Sequence, residues 1–277
     1  MPGITAAAVK ALRERTGLPM MDCKKALAEC DGNEENAVDW LRKQGLKTME
    51  KRSGRDTSFG RMGLYRGLDK NVGAMVELKC ESAPVTQNDE FIQLADDLAQ
   101  QLAEGPGAET AEELLDQPSP SKDGTTLREQ KDDLFNRIRE VFNVGRLVKF
   151  DGSCGGYCHN AGTVSGVLLE VDGGSDDIAK DVCMHIAAMR PQALNVEELD
   201  PAVVARERDV LTEAARQEGK PENIIDKMVE GRMRNFYAES VLAEQPFVKD
   251  DKQTVGKFAE SNGMKLIRFT HWELGKE

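Results

Sequence analysis

The sequence predicts an α+β protein with three short helices at its N-terminus, a core of two similar α+β subdomains with antiparallel sheets, and a projecting helical hairpin. Three observations predict it. Two strand-then-helix segments in the middle of the chain echo each other. The first residues hold three amphipathic stretches separated by turn signals. A long polar-apolar stretch after Pro201 breaks once, at residues 219–221.

In the N-terminal stretch Thr5 is placed to cap a helix carrying Val9 and Leu12, which Gly17 ends. Asp22 is expected to cap a second helix with Ala26 and Leu27 inward. After Asp31, Gly32 and Asn33, a third runs through Val38, Trp40 and Leu41 to Gly45. Residues 47–61 (KTMEKRSGRDTSFGR) are basic and nearly free of apolar side chains, and read as a solvated linker. The first core strand spans residues 73–80, pairs with residues 62–66, and precedes a helix through Phe91, Leu94, Ala95, Leu98 and Leu102. The second spans residues 166–171, pairs with residues 147–150, and precedes a helix through Ile178, Val182, Ile186 and Ala187. Between them, Gly-, Pro- and Ser-rich residues 104–126 read as a loose surface connector, followed by a helix over 127–141. Pro201 suits the first position of a helix bearing Val204 and Leu211, and Ile225, Met228 and Phe236 mark the returning arm. The expected division is residues 1–46 (three-helix domain), 47–61 (linker), 62–142 and 143–198 (core subdomains), 199–240 (hairpin) and 241–277 (a segment returning to the core).

Composition narrows the function. Across 277 residues, 37 Lys+Arg against 49 Asp+Glu leave a net charge of -12, which opposes direct binding to a nucleic-acid backbone. No apolar run nears the roughly 20 residues of a membrane span, and the opening residues are charged where a signal peptide is apolar, so a cytoplasmic protein with no membrane contact is expected. The 6 cysteines are scattered, as reduced thiols are.

Catalytic constellations are scarce, and no enzyme is expected. No phosphate-cradling glycine loop occurs. Cys154, Cys158 and His159 offer zinc-type donors, but a structural site wants four ligands and no second pair follows, so neither metal nor cofactor is expected. Cys183 and His185 lie two apart on a predicted helix and point in different directions, which favours a satisfied, partly buried histidine over a catalytic pair. Met20 and Met21, in the turn between two amphipathic helices, are adaptable contacts for a protein groove, with Asp22, Lys24 and Lys25 as a charged rim.

Several motifs then carry a family resemblance along essentially the whole chain. Residues 16–27 (TGLPMMDCKKAL), 181–191 (DVCMHIAAMRP), 228–236 (MVEGRMRNF), 245–250 (QPFVKD), and 267–269 (IRF) leading to 272–275 (WELG) resemble bacterial elongation factor Ts, the guanine-nucleotide exchange factor for elongation factor Tu. The resemblance implies a ubiquitin-associated-like N-terminal domain and a partner, elongation factor Tu, held in three places. By position, Arg13, Met20 and Met21 contact its GTPase domain. A core loop, here Glu81, Ser82, Ala83, Pro84 and Val85 with Asn88 and Phe91, enters near the nucleotide's Mg(II). Residues 157–166, with His159, meet another domain. The sequence departs from the family where Ala83 and Pro84 replace an Asp-Phe pair whose Phe acts as a wedge, and again at residues 163–166, where an Arg is common. Loss of an anchoring aromatic costs about 2 kcal/mol, roughly thirtyfold in an equilibrium constant. The alternative expectation is therefore an elongation factor Tu-binding stabiliser with weak or rerouted exchange. Remoter alternatives are a ubiquitin-type adaptor and a metal enzyme at Cys154, Cys158 and His159. The hairpin is a candidate for self-association.

Overall fold

Helix caps and left-handed turns set the path of the N-terminal residues. The computed structural model describes residues 4–219 and 221–276, so Lys220 of the expected turn lies outside the described residues. Contacts divide the chain into two units, Met1–Gly63 with Val76–Leu147, and Leu64–Met75 with Val148–Glu277. The division runs through the three strands of the first sheet.

In the first unit, helix α1 (Ala6–Thr16) begins where Thr5 Oγ1 accepts the Ala8 N–H and stops at Gly17, whose φ of 69° suits glycine. Helix α2 (Met20–Glu29) starts two residues before the expected cap: Pro19 precedes it, and Asp22 lies in its first turn, where a carboxylate favours the helix dipole. Asp31 and Gly32 turn the chain at positive φ, and Asn33 caps helix α3 (Glu34–Arg52). Leu12, Cys23, Ala26, Leu27, Ala37 and Leu41 close the three helices on one core.

Helix α3 does not stop at Gly45. It runs on to Arg52, so the first residues of the expected linker are helical. Gly45 is there for a close approach: a Cβ on it would lie 1.8 Å from the Asn136 side-chain oxygen. Strand β1 (Phe59–Tyr65) begins earlier than expected, inside the basic stretch, and strand β2 (Gly73–Cys80) has the expected bounds.

A 3-10 turn (Ala83–Gln87) leads into helix α4 (Asp89–Glu104), then come the short helix α5 (Ala111–Leu115) and helix α6 (Leu127–Ile138), where Thr126 and Glu129 form a capping box. Strand β3 (Phe142–Phe150) follows, and the sheet order is β1-β2-β3. The expected pairing of residues 147–150 with the second core strand is thus corrected: they belong to β3, beside β2. Residues 104–126 are not loose either. Leu114 and Leu115 are buried, and Asp97 of α4, also buried, accepts hydrogen bonds from Ser121 Oγ (2.5 Å), Gln130 Nε2 (2.7 Å) and Gln93 Nε2 (2.9 Å). The Gly/Pro/Ser composition masked two core leucines.

In the second unit, strands β4 (Cys154–His159) and β5 (Ser165–Gly173) pair antiparallel, Cys154 opposite Glu170 and His159 opposite Ser165. Helix α7 (Asp176–Met189), capped by Ser175, packs against them so closely that a Cβ on Gly155 would lie 2.4 Å from that of Ala179. Helices α8 (Pro201–Gln217) and α9 (Glu222–Ser240) form the hairpin, closing on Ala215, Ile225, Val229 and Met233. The chain then makes the small pair β6 (Pro246–Phe247) and β7 (Asp250–Thr254), helix α10 (Val255–Ser261), and strand β8 (Met264–Glu273), which pairs antiparallel with β5 to give the order β4-β5-β8. The architecture is α+β, with two three-stranded sheets. Among the described residues no helix is long and apolar enough to cross a membrane.

Gly63 on β1 lies under α4, where a Cβ would sit 1.9 Å from the Ala95 carbonyl oxygen. Because backbone must move to admit it, Gly63→Ala is expected to cost about 1–3 kcal/mol, read as a lower urea midpoint with an unchanged slope.

Candidate functional site

Three of the residues expected to meet a partner, Asp22, Glu81 and Ser82, converge on one corner of the first unit. Helix α6 ends at Arg139, a non-glycine residue in the left-handed region (φ 67°, ψ 25°). Its guanidinium is hydrogen-bonded to the Asp22 carboxylate at the start of α2, and its carbonyl accepts from Arg52 Nη1 at the end of α3. The next residue, Glu140, accepts the Ser82 N–H (3.0 Å) and the Ser82 hydroxyl (2.5 Å). In return Glu81 accepts the Val141 N–H (2.8 Å) and Arg55 Nη1 (3.0 Å). Burial would raise the Glu81 carboxyl, but the Val141 amide and the Arg55 guanidinium outweigh it and hold it below the usual carboxylate range. Two carboxylates thus clasp the end of β2 to the start of β3.

Around this corner the expected contact residues separate into two groups. Met20 and Met21 are 52% and 71% exposed, and Arg13 and Lys24 are exposed with them. Ala83 and Pro84 are exposed on the 3-10 turn. Asp22, Glu81 and Ser82 are engaged in the corner. Val85 is buried, and Asn88 caps α4, its Oδ1 accepting from Glu90 N (3.0 Å) and Phe91 N (3.2 Å). Phe91 is fully buried, its ring centroid 5.3 Å from that of Phe142, so it packs the core and presents no surface. Sequence reasoning passed over Phe59, the only exposed Phe, Tyr or Trp among the described residues. Its position inside a Lys-, Arg- and Ser-rich run hid it.

An open hollow of about 430 Å³ lies elsewhere in this unit, lined by Arg15, Leu18, Arg42, Lys122, Glu129 and Arg137. Most of its charges close on one another or nearby: Arg42 on Glu129, Arg15 on Glu34, and Arg137 on Glu90.

In the second unit His159 is exposed at the end of β4, its Nδ1 3.2 Å from Tyr157 Oη. Both line a hollow of about 380 Å³ with Ser165, Met184, Arg190 and Glu273. Lys276 and, against the opposing effect of burial, Arg190 hold the Glu273 carboxyl below its ordinary range. Strand alternation sends His159 to the face opposite Cys154 and Cys158, so these three do not converge on one ion. Among the described residues no group of three or more His, Cys, Asp and Glu is arranged to hold a metal.

All six cysteines are free. Burial pushes the thiols of Cys80 and Cys154 up to about 12 and raises that of Cys183 further, so none of the three is a nucleophile near neutral pH. Cys23 is also buried, while Cys30 and Cys158 are half-buried.

His185 is fully buried, more so than expected, and fully bonded. Its Nδ1 accepts the Val248 N–H (3.1 Å), so Nε2 carries the proton and donates to Gln245 Oε1 (2.9 Å), whose amide in turn donates to the Glu239 carbonyl (2.8 Å). Burial holds its pKa below 6.5 despite the opposing Gln245 bond. The imidazole ties the C-terminal segment to α7 in its neutral form. Because the unfolded chain binds the proton more readily, this contribution is present above about pH 6.5 and fades as the pH falls. The stability advantage of the native chain over His185→Gln is therefore expected to shrink from about pH 7.5 to about pH 5 in urea titrations; a constant difference would contradict the assignment.

The comparisons with known proteins agree on one family. The model described as "Elongation factor TS" matches residues 81–276. Curated proteins named elongation factor Ts are similar along nearly the whole chain. That of Methylococcus capsulatus is 42% identical over 276 residues, covering 99% of this chain and 92% of that protein. That of Hyphomonas neptunium is 43% identical over 289, covering 100% and 93%, and that of Clostridium botulinum 41% over 287, covering 99% and 93%.

Proposed function

The chain belongs to the elongation factor Ts family of translation elongation factors, and from that premise we propose that it binds elongation factor Tu and promotes release of GDP and entry of GTP by distorting the partner's nucleotide and Mg(II) site. The observation that carries this reading is the corner at Arg139 and Glu140. It ties the start of α2, with the exposed Met20 and Met21, and the segment before the exposed Ala83-Pro84 tip to one hydrogen-bonded support. A surface that is to deform a partner must itself resist deformation.

Exchange of this kind makes and breaks no covalent bond, so the protein acts without being an enzyme and needs no cofactor of its own. It binds most tightly to the distorted, nucleotide-free partner, and linkage then requires factor and nucleotide to weaken each other's binding by the same factor. In this reading Met20 and Met21 seat against the GTPase domain with Arg13 and Lys24 beside them. The Ala83-Pro84 tip approaches the nucleotide site, and His159 with its hollow meets another domain. The setting is the cytoplasm. The exposed Val203 and Val210, two turns apart on α8, favour self-association through the hairpin.

A second reading is specific to this chain. Ala83 and Pro84 offer little area to wedge into a partner, which favours a stabiliser that holds elongation factor Tu with weak or rerouted exchange. Stopped-flow release of fluorescent GDP from cognate elongation factor Tu separates the two. Strong acceleration by the native chain is the expected outcome; binding without acceleration, restored by an Ala83→Asp, Pro84→Phe double variant, would establish the stabiliser. Met20→Ala with Met21→Ala is expected to weaken binding roughly tenfold or more, with an unchanged melting temperature because both side chains are exposed. Unchanged affinity would remove the methionines from the interface.

A further inference from the structure

Phe59 stands at the start of β1, an edge strand of its sheet, and 44% of it is exposed. A half-covered aromatic ring at a sheet edge invites unwanted pairing, and proteins normally mask such positions. Here the ring is left 44% exposed, and side-chain hydrogen bonds on either side of it tie its segment to neighbouring elements. Arg55 reaches Glu81 Oε2 (3.0 Å), Thr57 Oγ1 accepts from Asn143 Nδ2 (3.1 Å), and Arg61 Nη1 reaches the Thr86 carbonyl (3.3 Å).

These ties also place the segment that carries the ring. Contacts on either side of Phe59 bind its segment to both ends of the 81–86 turn, so it runs alongside the exposed Ala83 and Pro84. Residues 59, 61 and 63 share one face of β1. Gly63 lies against Ala95 of α4, so this is the face on which α4 packs. Lys47 and Lys51, one helical turn apart on α3, are exposed in the segment leading to this strand, a local positive charge in a chain of net charge -12.

We propose that Phe59 is the aromatic anchor of the interface with the GTPase partner, inserting its ring beside the Ala83-Pro84 tip into an apolar socket with an acidic rim. The inference rests on the function proposed above and adds the residue that supplies the ring the 81–88 turn lacks. Aromatic side chains on rigid supports are the commonest strong anchors, because they bury a large area and lose little freedom on binding. Fastened at three points, Phe59 meets both conditions. The lysines favour an acidic protein surface, and the chain's overall negative charge disfavours a nucleic acid.

The test uses the full chain and cognate elongation factor Tu loaded with fluorescent GDP. Phe59→Ala is expected to weaken binding about thirtyfold and to slow GDP release in proportion at a subsaturating concentration, while Phe59→Trp restores most of both. Phe59→Leu, which keeps the covered half of the site filled, serves in place of Phe59→Ala if the melting temperature of the latter falls. A native chain that binds, with Phe59→Ala or Phe59→Leu binding equally well, overturns this inference alone. A native chain that does not bind overturns the proposed function and this inference with it. Two further results also overturn the inference: loss of native self-association in Phe59→Ala by sedimentation with partner affinity unchanged, which makes the ring a contact between copies, and loss of retention on single-stranded RNA with partner affinity unchanged.

Discussion

The first unit is organised by the refusal of helix α6 to continue past Ile138. Arg139 adopts the left-handed conformation, which costs a residue with a Cβ about 1–2 kcal/mol. The cost is offset because three other segments close on the same turn. The Arg139 side chain takes Asp22, its carbonyl takes Arg52, and Glu140, brought round by the turn, takes both polar groups of Ser82. With a right-handed Arg139, Glu140 and Val141 would continue the helix and the exchange of hydrogen bonds with Ser82 and Glu81 would be lost. The turn therefore ties together the start of α2, the end of α3 and the start of the 81–88 segment. Segments far apart in sequence come to act as one surface.

That arrangement explains which parts of the molecule the sequence discloses. Strand β2 is legible to the residue because Ala74, Met75, Val76, Leu78 and Cys80 make an apolar run, interrupted only by Glu77 and Lys79, between Gly73 and the polar turn that follows. The cap at Thr5 is equally plain, since the cap chemistry is local. Arg139 leaves no such sign, because arginine is an ordinary helix former and only its distant partners hold it left-handed. The partner of residues 147–150 was misread for a related reason. A strand's own pattern shows its faces, not its neighbour, and the third strand of the second sheet arrives from the far end of the chain as β8.

The sequence shows which segments carry the candidate site residues, but not which of those side chains are exposed. The motif around Met20 and Met21 marks an exposed stretch, although both residues open helix α2 and do not lie in the turn expected before it. Sequence alone does not tell whether a polar or aromatic side chain faces outward, and Asn88, Glu81 and Phe91 all turn inward, to cap, clasp and core. Phe59 erred in the other direction. A basic, serine-containing run reads as solvent-facing linker, and its single aromatic gains meaning only when the strand it begins is seen fastened to the neighbouring turn.

The thiols, though none is placed at a functional contact, make the molecule experimentally convenient. Cys23, Cys80, Cys154 and Cys183 are shut away, leaving Cys30 at the end of α2 and Cys158 on β4 as the less deeply buried thiols. One lies in each unit. Each unit of the unaltered chain thus carries one less deeply buried thiol of its own, a point at which a probe can report on that unit with no residue replaced.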